Sequence, residues 1–429
     1  MATSTQLRQR IAAGEWDSKL RALYGNTEQE LCRQRARYCA ALEQFELYFG
    51  PGRQVQVYSA PGRAELGGNH TDHQHGYGLA AAVTLDLVAV AARNMDGYVR
   101  VKSRGFNKLD VIDLTVAGPQ EGEGTHSASL IRGIAEGFRA VGKKVGGFDA
   151  YTASDVLRGS GLSSSAAFEM GMAVIWNGEY DCGLAPTELA KICQYAENTY
   201  FGKPSGLLDQ LTSAVGGIIF ADFADPASPQ IEKIHTDGLL PPGMSLCVTD
   251  TRGSHSELTS EFAAIRKEME QVAGTLGKKV LGQVTESEFW AALPELRRKC
   301  GDRAVLRAIH YFEENTRTLA QRDALQAGKF AAFAALVLES GRASFALCQN
   351  VYCSTDVRHQ GLSVALALSQ CILQGSGAWR MQGGGFAGTI QAYVPKELLE
   401  RYHSEIERVF GAGSCYVLRL REQGAVRVG

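Results

Sequence analysis

A chain of 429 residues is too long for one ordinary domain and suits two or three, with length enough for large cores. Apolar residues at 45% and charged residues at 21% describe a soluble globular protein, and 44 basic against 46 acidic residues give no reason to expect nucleic acid or a membrane surface as partner. Ten cysteines without a CxxC pair, no N-terminal signal and no uninterrupted apolar run of bilayer length lead us to expect a cytoplasmic protein with free thiols.

Residues 1–50 are rich in Arg, Gln, Glu, Ala and Leu, with Leu31, Tyr38, Leu42 and Phe45 at helical spacing, and predict two helices ended by Gly50, Pro51 and Gly52. An alternating strand follows at 55–59. Residues 60–73 crowd Arg63, Glu65, Asn69, His70, Asp72 and His73 between glycines, which predicts a loop with a task rather than a core. The imidazoles of His70, His73 and His75 match no strong metal spacing, and His73 and His75 read most simply as solvated. Arg63, His70 and Asp72 are better candidates for binding, since an arginine beside a glycine-rich turn is a ready partner for an oxyanion.

The apolar run 78–94 ends in a buried strand, strands follow at 98–103 and 109–114, a loop at 119–125 and an amphipathic helix at 127–141. An extended segment, 148–157, then runs into Arg158-Gly159-Ser160-Gly161-Leu162-Ser163-Ser164-Ser165, and an apolar helix leaves it at 166–176. Strand, tight turn and helix N-terminus make an anion site, most naturally for phosphate, although the absent lysine separates it from a GxxxxGK[ST] loop. A serine-rich helix cap is the bland alternative. A helix begins at Pro186 and ends near Gly202, carrying Glu197; Asp209 follows in Ser205-Gly206-Leu207-Leu208-Asp209-Gln210, then a strand at 218–223. Asp209 alone would read as a helix cap and Glu197 alone as a solvated residue.

Breaks at 225–229 and 238–243 divide the chain, giving a helical extension 1–50, an N-terminal domain 51–238 and a C-terminal domain 239–429. The last domain predicts a strand at 245–251, a helix at 256–272, mostly helices to 374, and strands at 389–394 and 414–420 flanking a helix at 396–409. Between them lies Arg380-Met381-Gln382-Gly383-Gly384-Gly385-Phe386-Ala387-Gly388.

Four segments in this order resemble the GHMP small-molecule kinases, and within them the galactokinases. Their first motif, GR-x-N-[LIV]-IGEHTDY, corresponds to Gly62-Arg63-Ala64-Glu65-Leu66-Gly67-Gly68-Asn69-His70-Thr71-Asp72-His73; PLG-x-GLSSSA to residues 157–166; cGimDQ to residues 205–210; and RMTGGGFGG to residues 380–388. The resemblance implies an α+β, two-domain fold, N-terminal part like domain 2 of ribosomal protein S5 and C-terminal part ferredoxin-like, with the site in the cleft between them. It implies phosphorylation of a sugar by ATP at the anomeric hydroxyl, with Mg²⁺. By analogy Asp209 and Arg63 are catalytic, Ser165 and Glu197 hold the metal, and Gly159, Ser160, Gly161, Leu162, Ser163, Ser164, Ser165 and Gly384 bind ATP. Asn69, His70, Asp72, Gly206 and Phe262 line the sugar. Sugar and ATP are the expected partners, without nucleic acid or membrane, in a monomer or weak homo-oligomer.

The departures fall mainly on the sugar side: Asn69 stands where the family has Glu, and Phe262 where it has Tyr. Loss of a carboxylate and a phenol changes what the pocket can bond. Galactose ranks first as substrate, a C6-modified galactose such as galacturonate second, and a galactokinase-like sugar sensor without turnover is the alternative of a different class. Leu157, Gln382 and Ala387 are milder changes on the ATP side.

Overall fold

The computed structural model describes residues 2–156, 161–203, 205–235, 240–253 and 258–429. Three helices, α1 (Ser4–Ala12), α2 (Asp17–Tyr24) and α3 (Glu28–Phe49), open the chain, one more than the sequence predicts; Trp16 and the cap at Thr27 separate them. β1 (Gln56–Gly67) and β2 (Tyr77–Arg93) form a long antiparallel pair. β3 (Tyr98–Ser103), β4 (Leu109–Asp113), α4 (Ser127–Ala140), β5 (Phe148–Ser154), α5 (Ser164–Glu179), α6 (Pro186–Ala196), α7 (Leu208–Val215), β6 (Ile218–Asp222) and β7 (Gln230–Ile234) follow. The first sheet runs β12-β1-β2-β5-β3-β4, with β6 paired to β2 and β7 on β6; β12 (Val426–Arg427) is the chain's last strand.

Side chains of β2 alternate between two cores, as a strand's period of two requires. Val88 and Val90 face α1–α3, whereas Leu87, Ala89 and Ala91 face the layer of α4–α7. The N-terminal helices therefore cover one face of the sheet, and their apolar spacing finds its partner there. The chain end ties into the same sheet: Val428 N–H donates to Val57 O, and Val57 N–H to Gly429 O, both at 2.7 Å.

The second sheet, antiparallel in the order β11-β8-β10-β9, comprises β8 (Met244–Asp250), β9 (Ala378–Gln382), β10 (Thr389–Pro395) and β11 (Cys415–Leu418). α12 (Gly361–Leu373) and α13 (Lys396–Phe410) pack on Cys247, Ala392 and Val394 of one face, and α11 (Phe330–Ala343) places Phe333 edge-on against Tyr393 of the other. α8 (Thr259–Thr275), α9 (Glu286–Cys300) and α10 (Asp302–Gln326) make a helical cluster of their own. Residues 330–348 are long and apolar enough to cross a bilayer by length and composition; Glu339 and Arg342 lie within them.

The largest correction concerns residues 60–67, predicted as loop. They continue β1 across register shifts at Pro61/Arg63 and Glu65/Gly67. Charge misled the prediction, because Arg63 and Glu65 are both buried and paired, and the strand is sandwiched on both faces. β7, with its exposed polar alternation, and the two-residue β12 left no usable signal in the sequence.

Candidate active site

Asp209 lies in the first turn of α7, where a carboxylate complements the helix dipole. One oxygen accepts from Arg63 Nε at 2.7 Å and the other from Ser163 Oγ at 2.5 Å. Burial alone would raise this carboxyl, but Arg63, Ser163 and Lys203 outweigh it and hold it below the usual range. Arg63 also donates through Nη1 to Gly161 O, and its own N–H to Leu162 O at 3.0 Å, so β1 and the Gly/Ser loop are stitched together at the arginine. Ser163, at φ 56°, turns the chain into α5 through the left-handed region, a conformation that costs a non-glycine residue and marks a constrained site.

Ser164 begins α5, and the first i→i−4 bond of that helix is Ala167 N–H to Ser163 O at 3.1 Å, so the N–H groups of the preceding turn point out of the helix end. Gly161, at φ 64°, adjoins the third motif through Gln382 Nε2, which donates to Gly161 O at 3.2 Å. Gly159 and Ser160 of the same prediction lie outside the described residues, as does Arg158.

Ser165 Oγ donates to Glu197 Oε1 at 3.2 Å, bringing the two expected metal ligands together. Glu197 opens a single π-helical turn, Glu197–Phe201, that extends α6, a device common at functional sites. Its other oxygen accepts from Ser205 Oγ at 2.5 Å and Gln210 Nε2 at 2.9 Å. Gln210 reaches in turn to Glu169 Oε2 at 3.0 Å. Burial, and the Glu197 charge after it, push the Glu169 carboxyl well above its ordinary value. Glu169 Oε1 and Gln210 Oε1 are buried without a hydrogen-bond partner. This set of hard oxygens fits a magnesium ion.

On the sugar side the predicted residues converge, but not all of them offer free groups. Asn69, 1% exposed, donates to Glu65 Oε1 at 3.1 Å and Gly383 O at 2.7 Å and accepts from Asn350 Nδ2 at 2.9 Å. His70 bonds through Nε2 to Gly384 O at 2.9 Å and through Nδ1 to His73 Nε2 at 3.3 Å. Burial lowers the His70 imidazole to about 4, so the ring is neutral. Asn69 and His70 thus fasten the first motif to the third. His73, predicted as solvated, is part of that fastening, and Gln74 Nε2 backs it at 3.2 Å.

Asp72 is the more available acceptor. Its Oδ1 takes the His73 N–H at 2.8 Å, while Oδ2 faces Gly206, where a Cβ would stand only 1.6 Å away. Only glycine permits that approach. Burial, with Asp209 adding to it, raises the Asp72 carboxyl to about 7. Phe262 of α8 crosses Phe386 edge-on at 5.4 Å and lies over Gly384, where a Cβ would stand 2.6 Å from the ring.

Glu65 was passed over in the sequence, although the signal was there. The family pattern has Asn where this chain has Glu65 and Glu where it has Asn69, and the two side chains touch. The carboxylate and the amide have changed places. In its new position the carboxylate bonds Arg380 Nη2 at 2.7 Å, and Arg380, fully buried, donates also to Leu66 O at 3.1 Å.

Family models match along this framework: the GHMP kinases N terminal domain over residues 129–217, which contain Ser163, Ser165, Glu197 and Asp209, and the galactokinase galactose-binding signature over residues 43–93, which contain Arg63 and Asp72. The chain is 32% identical over 371 residues to a galactokinase of Streptomyces coelicolor, covering 85% of this chain and 91% of that one. Among solved structures, Lactococcus lactis galactokinase complexed with galactose superposes with a TM-score of 0.78 at 24% identity, over 90% of this chain and 98% of that one. Methanococcus jannaschii mevalonate kinase does so with a TM-score of 0.61 at 15% identity, over 86% and 99%. The two-domain fold expected from the motifs is therefore the fold found, and with identity of this extent along nearly its whole length the chain belongs to the galactokinase family of GHMP kinases.

Proposed function

We propose that this kinase transfers the γ-phosphoryl group of ATP to the C1 hydroxyl of D-galactose, giving galactose 1-phosphate and ADP. The observation that carries the reading is Asp209, held ionised between Arg63 and Ser163 and one turn from the Gly206–Asp72 contact. Phosphoryl transfer asks chiefly for positioning and charge stabilisation. Asp209 orients the anomeric hydroxyl and takes its proton as the new P–O bond forms; a carboxylate of lowered pKa suits late rather than early proton transfer. Arg63 keeps Asp209 charged and places positive charge beside the phosphoryl group in flight. Backbone N–H groups at the start of α5, with Gly161, cradle the phosphates. Ser165 and Glu197 would hold the Mg²⁺ that comes with ATP, which would supply Lewis-acid neutralisation of phosphate charge. Asp72 accepts a ring hydroxyl, and Phe262 closes the pocket on the side of Gly384.

Galacturonate loses ground as the alternative. The carboxylate missing at Asn69 stands instead at Glu65, where it pairs with the neighbouring Arg380 and occupies it. Arg380, the cation nearest this change, is therefore not free to bind a sugar carboxylate. Ten unpaired cysteines support a reducing, cytoplasmic setting. ADP release with Mg-ATP and galactose, galacturonate, N-acetylgalactosamine, arabinose or glucose, with Asp209→Asn as control, tests the reading. Turnover should be fastest on galactose; a clear preference for galacturonate would overturn the ranking, and ATP and sugar binding without ADP release would make the chain a sensor.

A further inference from the structure

Lys203 belongs to none of the four motif roles, yet its ammonium reaches the acidic cluster. Nζ donates to Glu197 Oε1 at 2.8 Å, the same oxygen that accepts from Ser165. The lysine side chain is 54% exposed and Glu197 only 2%, so the ammonium is the solvent-side end of the cluster and its flexible stem is free to swing. The other Glu197 oxygen is fixed by Ser205 and Gln210, so Oε1 keeps its aim whether or not the lysine stays.

One carboxylate oxygen cannot hold an ammonium and also bind Mg²⁺ at about 2.1 Å without bringing two cations into contact. The described cluster is already balanced, with Arg63 and Lys203 facing Asp209 and Glu197. A free divalent ion would arrive as uncompensated positive charge. A metal–nucleotide complex is different: it carries excess negative charge on its phosphates, which offers the ammonium a better partner than Glu197.

We propose that Lys203 is the resident cation of the metal–nucleotide site: it holds Glu197 in the nucleotide-free enzyme, keeps a free divalent ion off that oxygen, and moves to the phosphoryl oxygens when metal–ATP enters. The proposal rests on the assignment of Glu197 to the metal made above. The result would be an enzyme that takes up metal and nucleotide together rather than in sequence.

Mn²⁺ as a paramagnetic probe tests this by titration of the full chain without sugar, read by electron paramagnetic resonance. Without nucleotide, Lys203→Met should bind Mn²⁺ about tenfold more tightly than the unmodified protein through loss of a neighbouring like charge, while Lys203→Arg should not. With Mn²⁺ present, Lys203→Met should bind ATP about tenfold more weakly through loss of a phosphate contact. An unchanged Mn²⁺ affinity in Lys203→Met overturns the exclusion of free metal, and an unchanged ATP affinity overturns the transfer to phosphate. Glu197→Gln separates the layers: if it binds Mn²⁺–ATP as well as the unmodified protein does, the metal assignment falls, whatever Lys203→Met does. Thermal melts confirm that each variant is folded.

Discussion

Asp86 and Asp209 are two buried aspartates with arginine partners, and the carboxyl of each is held below its usual range because the arginines outweigh burial. Their surroundings differ. Asp86, on β2, has no exposed side-chain surface and is bonded by Arg37 Nη1 at 2.6 Å, Arg421 Nη1 at 3.0 Å, Tyr24 Oη at 2.6 Å and Ser59. These partners come from α2, α3, β1 and the chain end, so the carboxylate is a knot that ties the N-terminal helices and the C-terminus to the sheet. Asp209 has a side chain 30% exposed and partners from β1 and the turn before α5. The direction of a pKa shift does not separate the knot from the group we propose as catalytic. What separates them is that one is sealed and the other reaches solvent.

Asp209→Asn should break the comparison on the functional side. The amide keeps the shape but not the charge, and kcat should fall by about a thousandfold, within the usual range for loss of an acid–base group. Urea unfolding should change little, and a variant that kept most of its kcat would show that Asp209 only lines the cleft. Asp86→Asn should do the reverse. Arg37 and Arg421 would be left buried around a neutral amide, at a cost of about 3–5 kcal/mol. Denaturant midpoints should drop accordingly while kcat per folded molecule stays level; a loss of kcat without a loss of stability would mean that the knot communicates with the site.

The sequence held the open site better than the sealed knot. Asp209, Arg63, Ser165 and Glu197 sit in short segments whose glycines and serines are legible because close backbone approach restricts residue choice there. The contact of Gly206 with Asp72 is of this kind. Asp86 lies inside an apolar run with no local signal, and its partners are spread from Tyr24 to Arg421, so only the tertiary structure reveals it. The same holds for Lys203. Glu65 is different, since its exchange with Asn69 is legible in the motif, although only position 69 is one the resemblance assigns to sugar. Residues 60–67 read as a loop in sequence because charge normally signals exposure, and only pairing across elements makes a charged strand buriable.

Asp72 sharpens the comparison at a smaller scale. Its carboxyl titrates near 7 in the fold against an ordinary value of 3.8. Below about pH 4 both folded and unfolded chains hold the proton; between about 4 and 7 only the folded chain does, so the stability Asp72 contributes falls with rising pH across that window and is level above it. Asp72→Asn removes the dependence. The variant should gain stability over the parent between pH 5 and pH 8, by about 2 kcal/mol at most after allowance for partial exposure, in paired urea titrations. A difference that is the same at both pH values would place the carboxyl in an ordinary environment. Sugar KM should rise in the variant, because an amide replaces the acceptor that faces Gly206.

Glu169 should give the smallest effect. It is fully buried, shares Gln210 with Glu197, and has an oxygen without a partner. Burial, with the Glu197 charge after it, pushes the carboxyl well above its ordinary range and so favours the protonated form, which Glu169→Gln mimics in charge and shape. Stability and Mg²⁺ dependence of turnover should both remain within about twofold of the parent, since no charge is lost. Glu197→Gln in parallel removes the charge of the proposed metal ligand and should raise the Mg²⁺ requirement sharply. Should Glu169→Gln raise it as well, the second carboxylate would be ionised in the working enzyme, and the cluster would hold its metal with two acids rather than one. The distinction then is the same one that parts Asp86 from Asp209: a buried acid is functional by virtue of the charge it leaves uncompensated, and Glu169 carries such a charge only if its proton has gone.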